Sequence, residues 1–273
     1  MIRLDAVTQN YRAAAPIFFD VSLDIPTNRR VALLGVAQSG KTTLIQMLAG
    51  LMAPSSGAIH RMARLSFPAG YQRGFRMGAS VRQNLAFAAQ IYDADEGDLF
   101  EFVGEVTGLQ DLLDAPLKDL AVQERVNLSF ALTYALPFDT FLFDNTIGAG
   151  DAAFRERCQA MYDARAQEAG TIVATKNTRT AQQLCDCAVV ISDFGLTFYD
   201  DIEAGVAAFN EQPGAVAQTP APTSRIAQGG AQPARTVSVA ANGARASANS
   251  GDSAAAEPVM SLAASGHGDD LVL

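Results

Sequence analysis

Apolar positions in this chain fall into short continuous runs separated by stretches with helical spacing. Val31-Ala-Leu-Leu-Gly35 is an unbroken apolar run ending on Gly, the pattern of a central strand covered on both faces. Thr42 to Leu51 follows with the spacing of a helix. Leu65-Ser-Phe67 reads as a short strand closed by Pro68. Val81 to Ile91 predicts a helix with Leu85, Ala88, Ala89 and Ile91 near one face. Leu99 to Leu109 predicts another. Leu120 to Leu136 is the longest helical stretch and stops at Pro137. Thr140-Phe-Leu-Phe143 is a second buried strand, ending at Asp144. Asp151 to Gly170 reads as a helix, and Thr171–Ala174 and Ala188–Ile191 as two further strands. Strands alternating with helices predict an α/β domain with a largely parallel sheet. No internal repeat is visible.

The pattern breaks near Pro213. From there to Leu273 the chain is dominated by Ala, Ser, Gly, Pro and Gln, and its last aromatic residue is Phe209. Such a segment buries too little apolar surface to offset its ordering entropy, so 213–273 is expected to be a disordered tail. Its mildly apolar patches, Val259–Ala264 and Leu271-Val272-Leu273, leave room for a short docking motif. Residues 1–212 are expected to form one domain, within the one or two that 273 residues allow at about 150 residues each.

Composition adds three exclusions. A net charge of −9 argues against a dedicated nucleic-acid binder, which carries a basic face. Three cysteines (Cys158, Cys185, Cys187) are too few for a disulfide framework and odd in number. With His confined to His60 and His267, they read as small buried hydrophobes rather than metal ligands. The apolar runs are far shorter than the roughly 18 residues that span a bilayer, and the start, Met1–Asn10, lacks the apolar core of a signal peptide.

The chemistry concentrates in Gly35-Val-Ala-Gln38-Ser39-Gly40-Lys41-Thr42, a full match to G-x-x-x-x-G-K-[ST] between a strand and a helix. Its glycines let successive backbone N–H groups face a phosphate. Lys41 places a cation on the terminal phosphates, and Thr42 offers a hydroxyl to Mg²⁺. The helix that follows points its positive dipole end at the anion. Asp144, at the end of an apolar strand about 100 residues on, has the position of an acid that holds Mg²⁺ through water.

Further landmarks keep a fixed order. Tyr11 precedes the loop. Leu65-Ser-Phe-Pro-Ala-Gly70, Ser80-Val-Arg-Gln-Asn84 and Pro116-Leu-Lys118 follow it, and then come Asp144, Gly150-Asp151 and Cys185-Asp186. This order resembles the ABC-transporter ATPases that energise export of capsular and O-antigen polysaccharides, over about residues 1–210. The resemblance implies a P-loop NTPase fold of ABC ATPase type, with a β-rich N-terminal part and a small helical subdomain at about 77–136 that touches a membrane-spanning permease. It implies that Tyr11 stacks on the adenine of ATP. Gly35, Gln38, Ser39, Gly40, Lys41, Thr42 and Thr43 would hold the phosphates and Mg²⁺. Asp144 would be the Walker B acid and Asp151 the D-loop acid at a dimer interface. It further implies a second nucleotide-binding subunit, no nucleic acid, and a peripheral place on the cytoplasmic side of the inner membrane.

The departures from that family pattern bear on activity. The position after Asp144, normally the Glu that orients the attacking water, is Asn145, which cannot accept a proton at neutral pH. The switch His is replaced by Lys176, which lacks imidazole's donor-and-acceptor character. The signature loop reads Leu120-Ala121-Val122-Gln123-Glu124, without the usual Ser and Gly and with an added negative charge. The Q-loop position is Arg76 or, in another register, Gln72. The expectation is an ATP-binding export subunit with weak or absent hydrolysis. Two alternatives stand beside it: an active export ATPase with relaxed motifs, and a non-transport nucleotide switch or scaffold.

Overall fold

A computed structural model of the chain describes residues 1–10 and 16–214. Tyr11 and the expected tail beyond Gly214 lie outside the described residues.

Two sheets organise these residues. The larger has six strands in the order β5-β6-β7-β3-β8-β9, built from β3 (Arg30–Leu34), β5 (Leu65–Pro68), β6 (Thr140–Asp144), β7 (Gly170–Thr175), β8 (Cys187–Ser192) and β9 (Gly195–Tyr199). All its pairings are parallel except β8 with β9. The smaller is an antiparallel sheet, β2-β1-β4, of β1 (Ile2–Asn10), β2 (Pro16–Ile25) and β4 (Ser56–Arg61). The helices are α1 (Lys41–Leu48), α2 (Val81–Tyr92), α3 (Glu96–Thr107), α4 (Val122–Ala135), α5 (Ala152–Glu168), α6 (Thr178–Leu184) and α7 (Ile202–Asn210).

The continuous apolar strands are explained by cover on both faces. Alternate residues of β3 divide between two cores: Val31 and Leu33 pack with α1 and the small sheet, Ala32 and Leu34 with α2 to α5 and α7. Phe141 and Phe143 of β6 face the second core, and Leu142 faces the first. Because strand side chains alternate, a strand buried on both faces favours apolar residues throughout, and the buried polar side chains of Thr140 in β6 and Thr171 in β7 are hydrogen-bonded.

The helix ends follow local chemistry. Ser80 accepts from the Gln83 N–H at 3.1 Å while Gln83 Oε1 accepts from the Ser80 N–H at 3.0 Å, a reciprocal cap. Asp95, Asp151, Asn177 and Asp201 cap α3, α5, α6 and α7.

Several expectations need correction. Ile91 does not join Leu85, Ala88 and Ala89: it is 45% exposed while those three are buried. The longest helix is α5 with 17 residues, against 14 for α4, where Leu120 and Ala121 at the start and Leu136 at the end adopt extended backbone. The strands β1, β2, β4 and β9 and the helices α6 and α7 were not predicted individually; the antiparallel strands alternate polar and apolar residues too irregularly to stand out. The three cysteines are buried as expected.

Candidate functional site

The turn from β3 into α1 is shaped by its glycines. A Cβ on Gly35 would stand 2.3 Å from Ser39 Oγ. Gly40, the residue before α1, has φ +97°, and a Cβ there would stand 2.3 Å from Ile17 Cγ2 and 2.9 Å from the Phe18 ring. Only glycine satisfies both demands at that point. Gln38 also takes a left-handed conformation, φ 63°, which tightens the loop around its centre.

Lys41 is 8% exposed and bends back over this loop. Its ammonium donates to Gly35 O and Val36 O, each at 2.7 Å, and lies 3.5 Å from Ser39 Oγ. Burial pushes its pKa below the usual lysine value; nearby Asp144 opposes that shift and Lys176 adds to it.

Three parallel strands end beside this loop. In register, Leu34 of β3 pairs with Thr175 of β7, and Asp144 of β6 pairs with Ala174. Ligands of open α/β sheets bind at this edge, outside the carboxyl ends of the strands. Here the Asp144 carboxylate accepts from Thr42 Oγ1 at 2.7 Å and from Asn145 Nδ2 at 3.0 Å. Asn145, at φ 68°, is fixed by its own N–H donating to Ala174 O at 2.8 Å. Lys176 directly follows β7 and makes no side-chain hydrogen bond or ion pair among the described residues. A pocket of about 490 Å³ is lined by the loop from Ala37 to Thr43 together with Ile17, Asn145 and Lys176. Thr43 is itself nearly buried, 7% exposed.

The predicted residues therefore fall into two groups. Gly35, Gln38, Ser39, Gly40, Lys41, Thr42, Thr43, Asp144, Asn145 and Lys176 come together. Leu120 to Glu124 stand elsewhere, at the start of α4. There Glu124 accepts from the Ala121 N–H at 2.7 Å, so its carboxylate closes the first turn of the helix. Gln123 Nε2 donates to Asn127 Oδ1 at 2.9 Å, and both atoms crowd Gly150, where a Cβ would stand within 2.9 Å of either. Asp151, next to that glycine, caps α5 by accepting from the Phe154 N–H at 2.7 Å. Neither Arg76 nor Gln72 lines the pocket.

Sequence reasoning missed Ile17 and Arg61. Ile17 touches Gly40 from β2, a strand with no clear signal. Arg61, on β4, donates to Leu48 O at 2.7 Å and to Met47 O, satisfying the carboxyl end of α1. Nothing in the spacing between residues 41 and 61 announces that contact.

Comparison with known proteins agrees with this geometry. The family model described as "ABC transporter" matches residues 18–148. The polysialic acid transport ATP-binding protein KpsT of Escherichia coli is 30% identical over 212 residues, covering 76% of this chain and 95% of that protein. The taurine import ATP-binding protein TauB of Roseobacter denitrificans is 32% identical over 187 residues, covering 63% of this chain and 69% of that protein. A solved structure described as the ATP binding subunit of an ABC transporter superposes with a TM-score of 0.62 at 16% identity, covering 77% of this chain and 100% of that one. With its phosphate loop, its parallel sheet and this likeness along most of the described residues, the chain belongs to the ABC transporter family of ATP-binding proteins.

Proposed function

We propose that the chain is the ATP-binding subunit of an exporter for a cell-surface polysaccharide, and that it hydrolyses ATP slowly or not at all. The observation that carries the second half is the pocket's own composition. Asn145 and Lys176 stand at its wall, and the Asp144 carboxylate is hydrogen-bonded to the loop through Thr42.

Residues 1–212 form the nucleotide-binding unit in this reading. The backbone N–H groups from Gln38 to Thr43 and the positive end of α1 receive the phosphates of ATP. Lys41 supplies a buried cation to the terminal phosphates, and Lys176 a second one from β7. Thr42 Oγ1 and Asp144 are hard oxygen donors 2.7 Å apart, a set suited to Mg²⁺. The metal, when bound, neutralises charge on the phosphates. Tyr11 stacks on adenine.

Hydrolysis needs a group that orients and deprotonates water, and such a group is worth roughly 10²–10⁴-fold in rate. Asn145 offers only an amide, and its Nδ2 already donates to Asp144. Lys176 has donors and no acceptor. Binding is therefore retained while the chemical step is slow.

The choice of polysaccharide export rests on the relatives. KpsT, named for polysialic acid transport, is matched along 95% of its length, against 69% for TauB. The partners are a membrane-spanning permease, met by the helical part at about 77–136, and a second nucleotide-binding subunit. In that pair Asp151 and the Leu120–Glu124 loop face the opposite subunit. Among the described residues no helix is long and apolar enough to cross a membrane. The permease thus holds the chain at the cytoplasmic side of the inner membrane.

The test is ATP binding and steady-state phosphate release on one purified sample, beside Lys41→Ala. Binding that needs Lys41, without turnover, is expected. Turnover at an ordinary transport-ATPase rate that is abolished in Lys41→Ala would overturn the slow-hydrolysis reading. It would favour an active ATPase in which Lys176 serves as a phosphate clamp.

A further inference from the structure

Charge is unevenly spread along this chain. Between Asp24 and Asp93 there is no Asp or Glu, while the same stretch carries eight Lys and Arg in a chain whose net charge is −9. Most of these cations are engaged. Arg29, Arg30, Arg64 and Arg82 pair with Asp200, Asp186, Asp139 and Asp114. Arg61 serves the last carbonyls of α1, and Lys41 those of the phosphate loop. The remaining two, Arg73 and Arg76, are exposed on the segment between β5 and α2, and their side chains make no hydrogen bond or ion pair among the described residues.

This segment is held in place from two sides. The Arg76 N–H donates to Asn84 Oδ1 at 2.8 Å, and the Asn84 amide donates to Arg76 O at 3.1 Å and to Ser80 O at 2.9 Å. Residues 77–82 also run against 113–118. There the Lys118 N–H donates to Met77 O and the Leu117 N–H to Ala79 O, each at 2.9 Å, and the Arg82 N–H donates to Leu113 O at 2.8 Å. Lys118 is exposed, its ammonium has no partner among the described residues, and it stands beside Met77, which is exposed as well. Along α2, Asn84, Phe87 and Ile91 fall on one stripe of the helix, and Phe87 and Ile91 are exposed. Three free cations, Arg73, Arg76 and Lys118, thus share a surface with three exposed apolar side chains, Met77, Phe87 and Ile91. The acids on these segments are Asp114, held by Arg82 at 2.8 Å, and Asp119, next to Lys118, so the patch keeps a positive balance.

We propose that this patch rests on an anionic phospholipid leaflet, with Arg73, Arg76 and Lys118 at the headgroups and Met77, Phe87 and Ile91 at the boundary with the acyl chains. Such a surface offers both things the patch calls for. Its diffuse negative potential favours binding by about fivefold per nearby Lys or Arg, and its interfacial layer takes up apolar side chains. A small anion would satisfy the cations alone and leave the apolar side chains in water. The acidic remainder of the chain is repelled by the same leaflet, which turns the patch toward it. The inference rests on the reading that places the chain at a membrane, and goes beyond it by giving the chain a lipid contact of its own beside the permease.

The full chain is mixed, without nucleotide, with vesicles of phosphatidylcholine alone or of phosphatidylcholine with phosphatidylglycerol, and the co-sedimenting fraction is read against lipid concentration. The native chain is expected to sediment with the phosphatidylglycerol vesicles only, and to be released by high salt, which screens exposed charges. Arg73→Gln/Arg76→Gln/Lys118→Gln should weaken binding by about tenfold or more, while Arg3→Gln/Arg157→Gln/Arg179→Gln, which removes as many exposed cations elsewhere, should change it by less than about threefold. Phe87→Ser should weaken binding and leave its salt dependence in place. Thermal melts establish that each variant is folded, and Arg73→Gln/Arg76→Gln carries the test if the triple variant is not. Equal binding to both kinds of vesicle, or equal loss in the two triple variants, would overturn the proposal. A native chain that ignores both vesicles would overturn it too, and where that chain still co-purifies with a permease, an acidic protein segment covers the patch instead. ATP binding, measured on the same preparation, tests the nucleotide reading by itself, so the two fail separately.

Discussion

Replacing Lys41 by Met removes a cation while keeping most of an apolar stem in the same space. In the folded chain the ammonium serves Gly35 O and Val36 O, both at 2.7 Å. Hydrogen bonds to a charged group contribute about 1.5–3 kcal/mol, and a buried carbonyl left without a donor costs about 1–3 kcal/mol. Against that loss stands the relief of desolvation, since burial already holds the Lys41 pKa below the usual lysine value. The net destabilisation is about 1–3 kcal/mol, which lowers Tm by roughly 2–12 °C at about 2–4 °C per kcal/mol for a domain of this size. The nucleotide loses one charge-assisted contact of about 1.5–3 kcal/mol, which raises Kd by about 10- to 150-fold. Lys176→Met supplies the contrast. That ammonium lines the same pocket without a hydrogen bond among the described residues, so its removal raises Kd and leaves Tm within about 1 °C. The assay is titration of the native chain and both variants with a fluorescent ATP analogue and Mg²⁺, with thermal melts in the absence of nucleotide. A folded Lys41→Met variant whose Kd stays within about threefold of native would refute the placement of the phosphates at this loop.

Three further expectations follow from packing and charge. Arg61→Ala removes the donors at the carboxyl end of α1 and should cost about 1–3 kcal/mol, read as a lower midpoint in a urea melt; an unchanged midpoint would show that water replaces the guanidinium. Burial pushes the Cys158 and Cys187 thiols up to about 11 and raises Cys185 further, so all three should resist alkylation by iodoacetamide at pH 8 until the chain is unfolded. Rapid labelling of the native chain would contradict their burial. The Arg30 guanidinium holds the Asp186 carboxyl below its ordinary value through a two-pronged hydrogen bond. A depressed folded-state pKa gives stability that is present above the unfolded-state value near 3.8 and is lost as pH falls through the folded value. Asp186→Asn should therefore lower stability at pH 7 and flatten its decline below about pH 4; equal declines in both proteins would sink this account.

The central strands and the phosphate loop were legible because their signals are local. Val31–Leu34 and Phe141–Phe143 are apolar at every position, as two-sided burial favours, and the Gly-Lys-Thr spacing is dictated by backbone geometry within eight residues. The small sheet was less legible: β1 and β2 pair with several register shifts, so their alternation of polar and apolar residues is interrupted. Ile91 illustrates the opposite failure. Its spacing suggests the buried face of α2, but that face runs through Val81, Leu85, Ala88 and Tyr92, whose ring packs on Phe67 and Phe138, and Ile91 lies to one side of it.

The amino-acid sequence by itself determined the Gly-Lys-Thr loop, the acid at the end of β6 and the amide and amine that Asn145 and Lys176 carry, since each depends on residue identity at fixed short spacing. Tertiary structure decided which of these meet. Parallel pairing of β3, β7 and β6 sets Thr42 against Asp144 across 102 positions of chain and brings Lys176 to the same pocket. The same long-range packing turned Glu124 into a helix-closing group, gave α1 its cap from Arg61 and set the end of the described chain beside the loop. Such contacts are invisible in a linear pattern because they are fixed by the sheet order and by which faces are covered, not by the spacing of the residues that make them.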